Sequence, residues 1–383
     1  MKEIFKKIDK PLLFAVIVLC AIGLVMVFSA SNISSVLQYK VSSYYFFKKQ
    51  LIVMVAGLLF GVIFLLHFPT SKYHYLKSLM MIGIIGLLGG LFAYGTVTNS
   101  ARSWYNFGLF SLQPSEFAKT VVVIYMACYF GENINCEKRF FFLRPIIACA
   151  IVAGLILVQP DLGTAAIIGL TVFLMFMAVP FNKKDKDVKI FKIIGTCGVL
   201  LVAAVMLFGG RFLNEEQASR LKYLAPCTRY QDKTGYQVCN GMIAINNGGL
   251  FGVGLGNSTQ KYLYLPEAHT DFIFPIIVEE LGSIAGAGII ILYIFILFRI
   301  LKIAKNARDL TGSLIAYGTF LTILLHLMVN FGGILALIPL TGVPVPLLSY
   351  GGSITLNTLI MIFLTLRVSY ESNKAKEKKT KKN

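Results

Sequence analysis

The sequence predicts an all-α integral membrane protein of about ten transmembrane helices, with both termini cytoplasmic and one long extracytoplasmic loop between helices 7 and 8. Three observations predict it. Hydrophobic residues make up 56% of the 383 and charged residues only 14%, whereas soluble domains carry about a quarter charged residues. The mean hydropathy is +0.73. The apolar residues gather in ten runs, with most of the basic residues between them. Length alone would suggest two or three soluble domains, but this composition rejects them, along with disordered, collagen-like, coiled-coil and disulfide-scaffold chains.

A bilayer core of about 30 Å takes roughly 20 helical residues. The first run, near 11–30, is long and lacks a small-residue cleavage pattern after it, so it reads as an anchor rather than a removable leader. The second and third lie near 51–67 and 79–95. The fourth, near 114–130, opens in the string QPSEFAK, Gln113 to Lys119. The fifth and sixth, near 144–160 and 161–180, are parted only by the turn in QPDLGTA. The seventh lies near 190–209, the eighth near 272–298, the ninth near 312–335 and the tenth near 346–366. Their apolar character is continuous, which favours helices over the alternating strands of a barrel.

Charge orients the bundle. With the N-terminus inside, the inside segments hold 25 Lys and Arg and the outside segments 10, with Lys119 inside a span completing the 36. Basic residues favour the cytoplasm, and an even number of spans then returns the C-terminus to it. The chain divides into a cytoplasmic N-terminus 1–10, a polytopic domain 11–367 with its large outer loop 210–271, and a basic tail 368–383. The tail reads as a solvated, disordered end, with an anionic-lipid site as the lesser reading. Short helices are expected near Asn214–Leu224 and Gln237–Asn246, in a loop ordered as a cap. The net charge of +18 lies mostly between apolar runs and comes with no nucleic-acid-binding motif, so nucleic acid is not an expected partner. The seven cysteines lack zinc or redox spacing. A disulfide between Cys227 and Cys239, which share the outer loop, is one open possibility there.

Ionisable residues at membrane depth are costly and ask for a role. Glu116 and Lys119 are three apart and can pair on one helix side, or Lys119 can offer its charge to an anionic ligand. Asp161 can cap the helix starting at Leu162, or take a direct part in chemistry. The densest cluster is YLYLPEAHTDFIFPIIVEELG, with Glu267, His269, Thr270 and Asp271 just before an apolar helix and Glu279 and Glu280 within it. Glu279 is eight residues beyond Asp271, about 12 Å along a helix, so Asp271 is expected to stand alone at the outer mouth, either as chemistry or as a cap. In GVPVPLLSYGGS, two prolines and the Ser349, Tyr350, Gly351, Gly352 run interrupt the tenth span. Broken backbone at that depth is tolerated against protein or a water-filled cavity; close helix packing through small residues is the alternative. All three clusters fall at the outer end, which predicts a polar cavity opening outward beneath the 210–271 loop.

These strings in this order, QPSEFAK, QPDLGTA, GLFGVGLGNSTQKYLYLPEAHTDFIF, EELG and PLTGVPVPLLSYGGS, resemble the shape, elongation, division and sporulation (SEDS) family of bacterial membrane proteins, from about Asp9 to Arg367. GLGNSTQ with PEAHTD is more similar to its division and sporulation branch. The chain departs from the family at Ile354 in SYGGSI, at Ser100 before ARSW and at Asn240, Gly241, Asn246 and Asn247. The resemblance implies a peptidoglycan glycosyltransferase that polymerises lipid II, a disaccharide-pentapeptide on undecaprenyl pyrophosphate, at the outer face of the cytoplasmic membrane. It places the family's essential aspartate on Asp271, expected as general base. Lys49 of FKKQ, Arg102 of ARSW and Lys119 are expected to steady the pyrophosphate, and Glu116, Glu267, His269, Thr270, Ser349 and Tyr350 to complete the substrate site. It implies a class B penicillin-binding protein transpeptidase and other division proteins as partners. A divalent cation, Mg2+ or Mn2+, is compatible with the diphosphate, but the sequence offers no dedicated ligand set. Two other readings fit the spans: a lipid II flippase, and a scaffold for division partners.

Overall fold

The computed structural model describes residues 2–98, 101–108, 111–136, 139–181, 186–208 and 225–381; within these, the side chains of residues 2, 97, 98, 101, 102, 199–208, 233 and 234 lie outside the description. A helix forms at each of the ten apolar runs. They are α2 (Lys10–Leu37), α3 (Tyr45–Phe60, continued by a π-helical turn Gly61–Leu65), α4 (Tyr73–Tyr94), α5 (Pro114–Asn133), α6 (Leu143–Val158), α7 (Leu162–Ala178), α8 (Lys186–Phe208), α10 (Ile273–Lys305), α11 (Leu310–Ile334) and α12 (Gly352–Thr380). A short α1 (Lys2–Lys7) precedes them and α9 (Lys233–Gly248) stands before α10. Six helices among the described residues are long and apolar enough to cross a membrane, namely α2, the α3 segment, α4, α10, α11 and α12, while α6 and α7 are shorter apolar helices.

Local chemistry sets the helix starts. Asp9, Asp161 and Asp309 each accept a hydrogen bond from a backbone N–H three residues on, satisfying a donor the first turn leaves free. Pro stands in the first turn of α2 and α5, where its missing N–H costs nothing. Capping at Asp161 is therefore the role the turn gives it.

Burial identifies the centre. Of the most apolar window, 83% is buried in α12 and 67% in α11, against 28% in the α3 segment and 22% in α4. α12 and α11 thus form the middle, α5 packs between α4 and α11, and α10 lies against α2 and α11. The exposed side chains of α3 and α4, such as Ile52, Ile63, Leu79 and Ile82, are the composition of a lipid-facing surface.

Two features depart from the sequence reading. Three short strands, β1 (Thr96–Thr98), β2 (Ala101–Asn106) and β3 (Ser111–Leu112), form a small antiparallel sheet in the order β1-β2-β3. Tyr105 fastens it by donating to the Leu87 carbonyl at 2.8 Å. The basic tail, expected to be disordered, continues α12 as helix to Thr380. Contacts with α1 hold it: Glu377 pairs with Lys7 at 2.7 Å and Asn373 donates to the Lys7 carbonyl. The expected helix near 214–224 lies outside the described residues, whereas the one near 237–246 is found as α9. Cys227 and Cys239 form a disulfide that ties the turn Pro226–Arg229 to α9.

Candidate active site

The polar clusters meet at one end of the bundle. α10 is broken at Gly282, where φ is 86° and ψ 166°, a region open essentially to Gly. The loop after α9 fills the break. Val253 and Gly254 donate to the carbonyls of Glu279 and Glu280, and Ser283 and Ile284 donate to those of Gly249 and Leu250. The backbone groups freed by the break are thereby satisfied.

Both glutamates of EELG are buried and fully engaged. Glu279 accepts from Ser258, from Thr259 at 2.8 Å and from Asn247 at 3.3 Å. Glu280 pairs with Lys261 at 2.8 Å and accepts from Ser29 of α2. They lock residues 256–261 to α10 and α2, and leave Asp271 without a carboxylate partner among them, as expected.

Residues 262–271 then run to the start of α10 on a constrained backbone, with Leu263 and Glu267 at positive φ. His269 is 4% exposed and lies among rings: Phe46 at 4.6 Å, Tyr350 at 5.7 Å and Tyr39 at 6.2 Å between centroids. Its carbonyl accepts from the Tyr350 N–H at 2.9 Å. Burial lowers the His269 pKa from its usual value, against the opposing pull of Glu267. Thr270 donates within this segment, 2.9 Å from a carboxylate oxygen of Glu267 and 3.2 Å from Oδ1 of Asp271.

Asp271 is 8% exposed. Burial, then the negative charge of Glu267, raise its pKa to about 7, against the lowering effect of its hydrogen bonds. Asn330 of α11 holds its backbone carbonyl at 2.8 Å. Across from Oδ2 is Gly342 at φ +67°, where a Cβ would come within 3.7 Å.

A cavity of about 310 Å3 lies beside this segment, lined by Ser34 and Gln38 at the end of α2 and by Lys261, Leu263 and residues 265–269, Glu267 among them. Asp271 does not line it; its carboxylate faces the Gly342 turn. Lys49 is half-buried, with its Nζ 4.5 Å from the Tyr45 ring centroid. It stands one turn from Phe46 on the same side of α3. Ser349 is fully buried; its hydroxyl accepts from Val345 N–H at 2.8 Å. Arg102 lies on β2, and its side chain is outside the described residues. Glu116 and Lys119 do pair, at 2.7 Å, and the lysine also bonds His326 of α11 at 2.7 Å, all three buried. That commits Lys119 to the bundle interior, where its charge is already answered.

Sequence reasoning missed four residues here. Gln50, fully buried, bonds the Ser349 carbonyl at 3.2 Å, the Thr355 hydroxyl and the Gly351 N–H. Lys261, His326 and Asn330 are the others. Each is a polar residue in or beside an apolar run, which is the signal that marked Glu116 and Lys119.

The family model described as "Cell cycle protein", covering FtsW, RodA and SpoVE, matches residues 10–374. This chain belongs to the FtsW, RodA and SpoVE family. Among its relatives, a Bacillus subtilis protein named probable peptidoglycan glycosyltransferase FtsW is 37% identical over 98% of this chain and 95% of its own. The Stage V sporulation protein E of the same organism is 35% identical over 95% of this chain and 98% of its own. Two solved structures share the fold. A chain from a peptidoglycan synthase complex studied for its coordination of polymerization and crosslinking gives a TM-score of 0.72 at 24% identity, covering 95% of this chain and 98% of that one. Thermus thermophilus RodA gives 0.66 at 24%, covering 94% and 96%. The FtsW, RodA and SpoVE fold is therefore what brings QPSEFAK, PEAHTD and SYGGS to one end: Gln113 donates to Ser353 and to Asp161, Tyr350 to His269, and Asn330 to Asp271.

Proposed function

We propose that this chain is a peptidoglycan glycosyltransferase that polymerises lipid II into glycan strands at the outer face of the bacterial cytoplasmic membrane, in septal or related wall synthesis. The proposed topology is ten membrane crossings with both termini inside. The asymmetry of basic residues supports it, as does a disulfide at the end that carries Asp271, since such bonds persist in oxidising surroundings.

The observation that carries the reading is Asp271: a buried carboxyl group against the Gly342 turn, at the end of the bundle where the polar clusters meet and at the position of the family's aspartate. In the proposed reaction the acceptor hydroxyl gives its proton to Asp271 as its oxygen bonds the donor's anomeric carbon. The bond from that carbon to the lipid pyrophosphate breaks, and the pyrophosphate leaves with the bonding electron pair. Lys49 and Arg102 are the cations assigned to that growing charge; Lys49 makes no ion pair among the described residues. Glu267 and His269, which line the cavity, are assigned to orient the sugars, and Thr270, Ser349 and Tyr350 to support that segment from behind. No group of three His, Cys, Asp or Glu side chains suited to a metal gathers among the described residues, so no step is routed through a divalent cation. A class B penicillin-binding protein and other division proteins are the proposed partners; the solved complex of a similar fold supports the first.

Purified protein with labelled lipid II, alone and with the transpeptidase, tests this. Wild type is expected to make strands. Asp271→Ala and Asp271→Asn are expected to lose activity by about 100-fold or more, the usual scale of general-base catalysis. Normal polymerisation by Asp271→Ala would overturn the reading. Lipid II translocation into vesicles without any polymerisation would point to a flippase, and silent Asp271 variants with partner binding retained would point to a scaffold.

A further inference from the structure

We propose that Asn330 is a positioning residue for Asp271, acting through a two-carbonyl clamp that fixes the aspartate against the Gly342 turn. The inference rests on Asp271 as the base. Asn330 is 4% exposed, in the last two turns of α11. Its one amide nitrogen donates to the backbone carbonyl of Asp271 and to that of Val343, each at 2.8 Å.

The chemistry of the clamp is selective. Two carbonyl oxygens require two N–H donors from one side chain, and a carboxamide NH2 supplies both. A carboxylate of the same shape supplies none and would repel both oxygens. A serine hydroxyl supplies one. The clamp also sets distance: gripping Val343 brings Gly342 beside Asp271, within 3.7 Å of Oδ2 for any Cβ placed there. One turn down the same helix face, His326 is held by Lys119, so the face that carries the clamp is itself anchored to α5. Asn330 touches neither the carboxylate of Asp271 nor the cavity; its effect is on where the base stands.

Full-length Asn330→Asp and Asn330→Ser, each with the partner transpeptidase, would be compared with wild type and Asp271→Ala in steady-state lipid II polymerisation. The expected result is a kcat at least tenfold lower for Asn330→Asp with KM within twofold of wild type, and an intermediate kcat for Asn330→Ser. A merely structural role would lower yield and thermal stability and leave kcat per folded molecule unchanged. Unchanged kcat in both variants, or a change confined to KM, would overturn the inference. So would failure of both to accumulate, which would mark Asn330 as a folding residue. If Asn330→Asp alone fails to accumulate, Asn330→Ser decides, with a kcat at least threefold lower at unchanged KM expected. Activity retained in Asp271→Ala would instead sink the base reading on which this one stands.

Discussion

Nζ of Lys261 lies 2.8 Å from Oε1 of Glu280, and neither side chain is exposed. The pair joins the segment leading into PEAHTD to the helix that follows it, with Ser29 of α2 as a third member. A buried pair of this kind adds little over an apolar match, but losing one partner strands a charge.

Lys261→Met is therefore expected to destabilise the protein by about 3–5 kcal/mol. Lys261→Met with Glu280→Leu should recover part of that loss, since it removes the stranded charge. Thermal unfolding in detergent checks both. Equal stability of the single and double variants would contradict the account.

Gly282 cannot take a side chain. A Cβ there would lie 2.2 Å from the Leu250 carbonyl oxygen, and the backbone conformation alone costs a non-glycine residue about 1–3 kcal/mol. Gly282→Ala should expel the 249–254 loop. Limited proteolysis of the purified variant is expected to cut near Phe251, which wild type should resist.

The pH dependence follows from Asp271. Its neutral form cannot accept the hydroxyl proton. With the pKa raised to about 7, the carboxylate fraction grows as pH rises from about 6 to 8. Polymerisation rate should rise over that window, with a limb well above the ordinary carboxylate range near 4. A rate flat from pH 5 to 8 would show that Asp271 titrates elsewhere or is not the base.

The disulfide between Cys227 and Cys239 closes 12 residues, a loop for which about 3 kcal/mol is the scale of stabilisation. The paired Ser variant should unfold several degrees lower. In intact cells, a membrane-impermeant reductant followed by an impermeant maleimide should label these cysteines, while Cys136 should react only after lysis. Labelling in the reverse pattern would invert the proposed orientation.

The reach of the sequence depended on the range of the interaction. The ten helices were legible because apolar runs report a local property, their solvent. Capping by Asp161 was legible for the same reason. The 96–112 sheet was not, since its strands are short and their pairing is set by contact with α4. Lys119 showed its partner Glu116 three residues away and hid His326, 207 residues on. The break in α10 at Gly282 was not legible in a run read as one continuous span, and the loop that fills it comes from before the helix and carries no pattern that names its destination. Asp271 was found by its motif, and the amide that holds it was not, because Asn330 sits in an apolar run 59 residues later.

Lys7 and Glu377 clasp at the far end of the molecule from Asp271. The two residues stand 370 positions apart, so during synthesis the seam closes only after Glu377 has left the ribosome, with every helix from α2 to α11 already made. A factor that recognised the seam would bind only molecules in which α12 has docked against α1. Halves of a split reporter fused to the two ends should also find each other within a single copy.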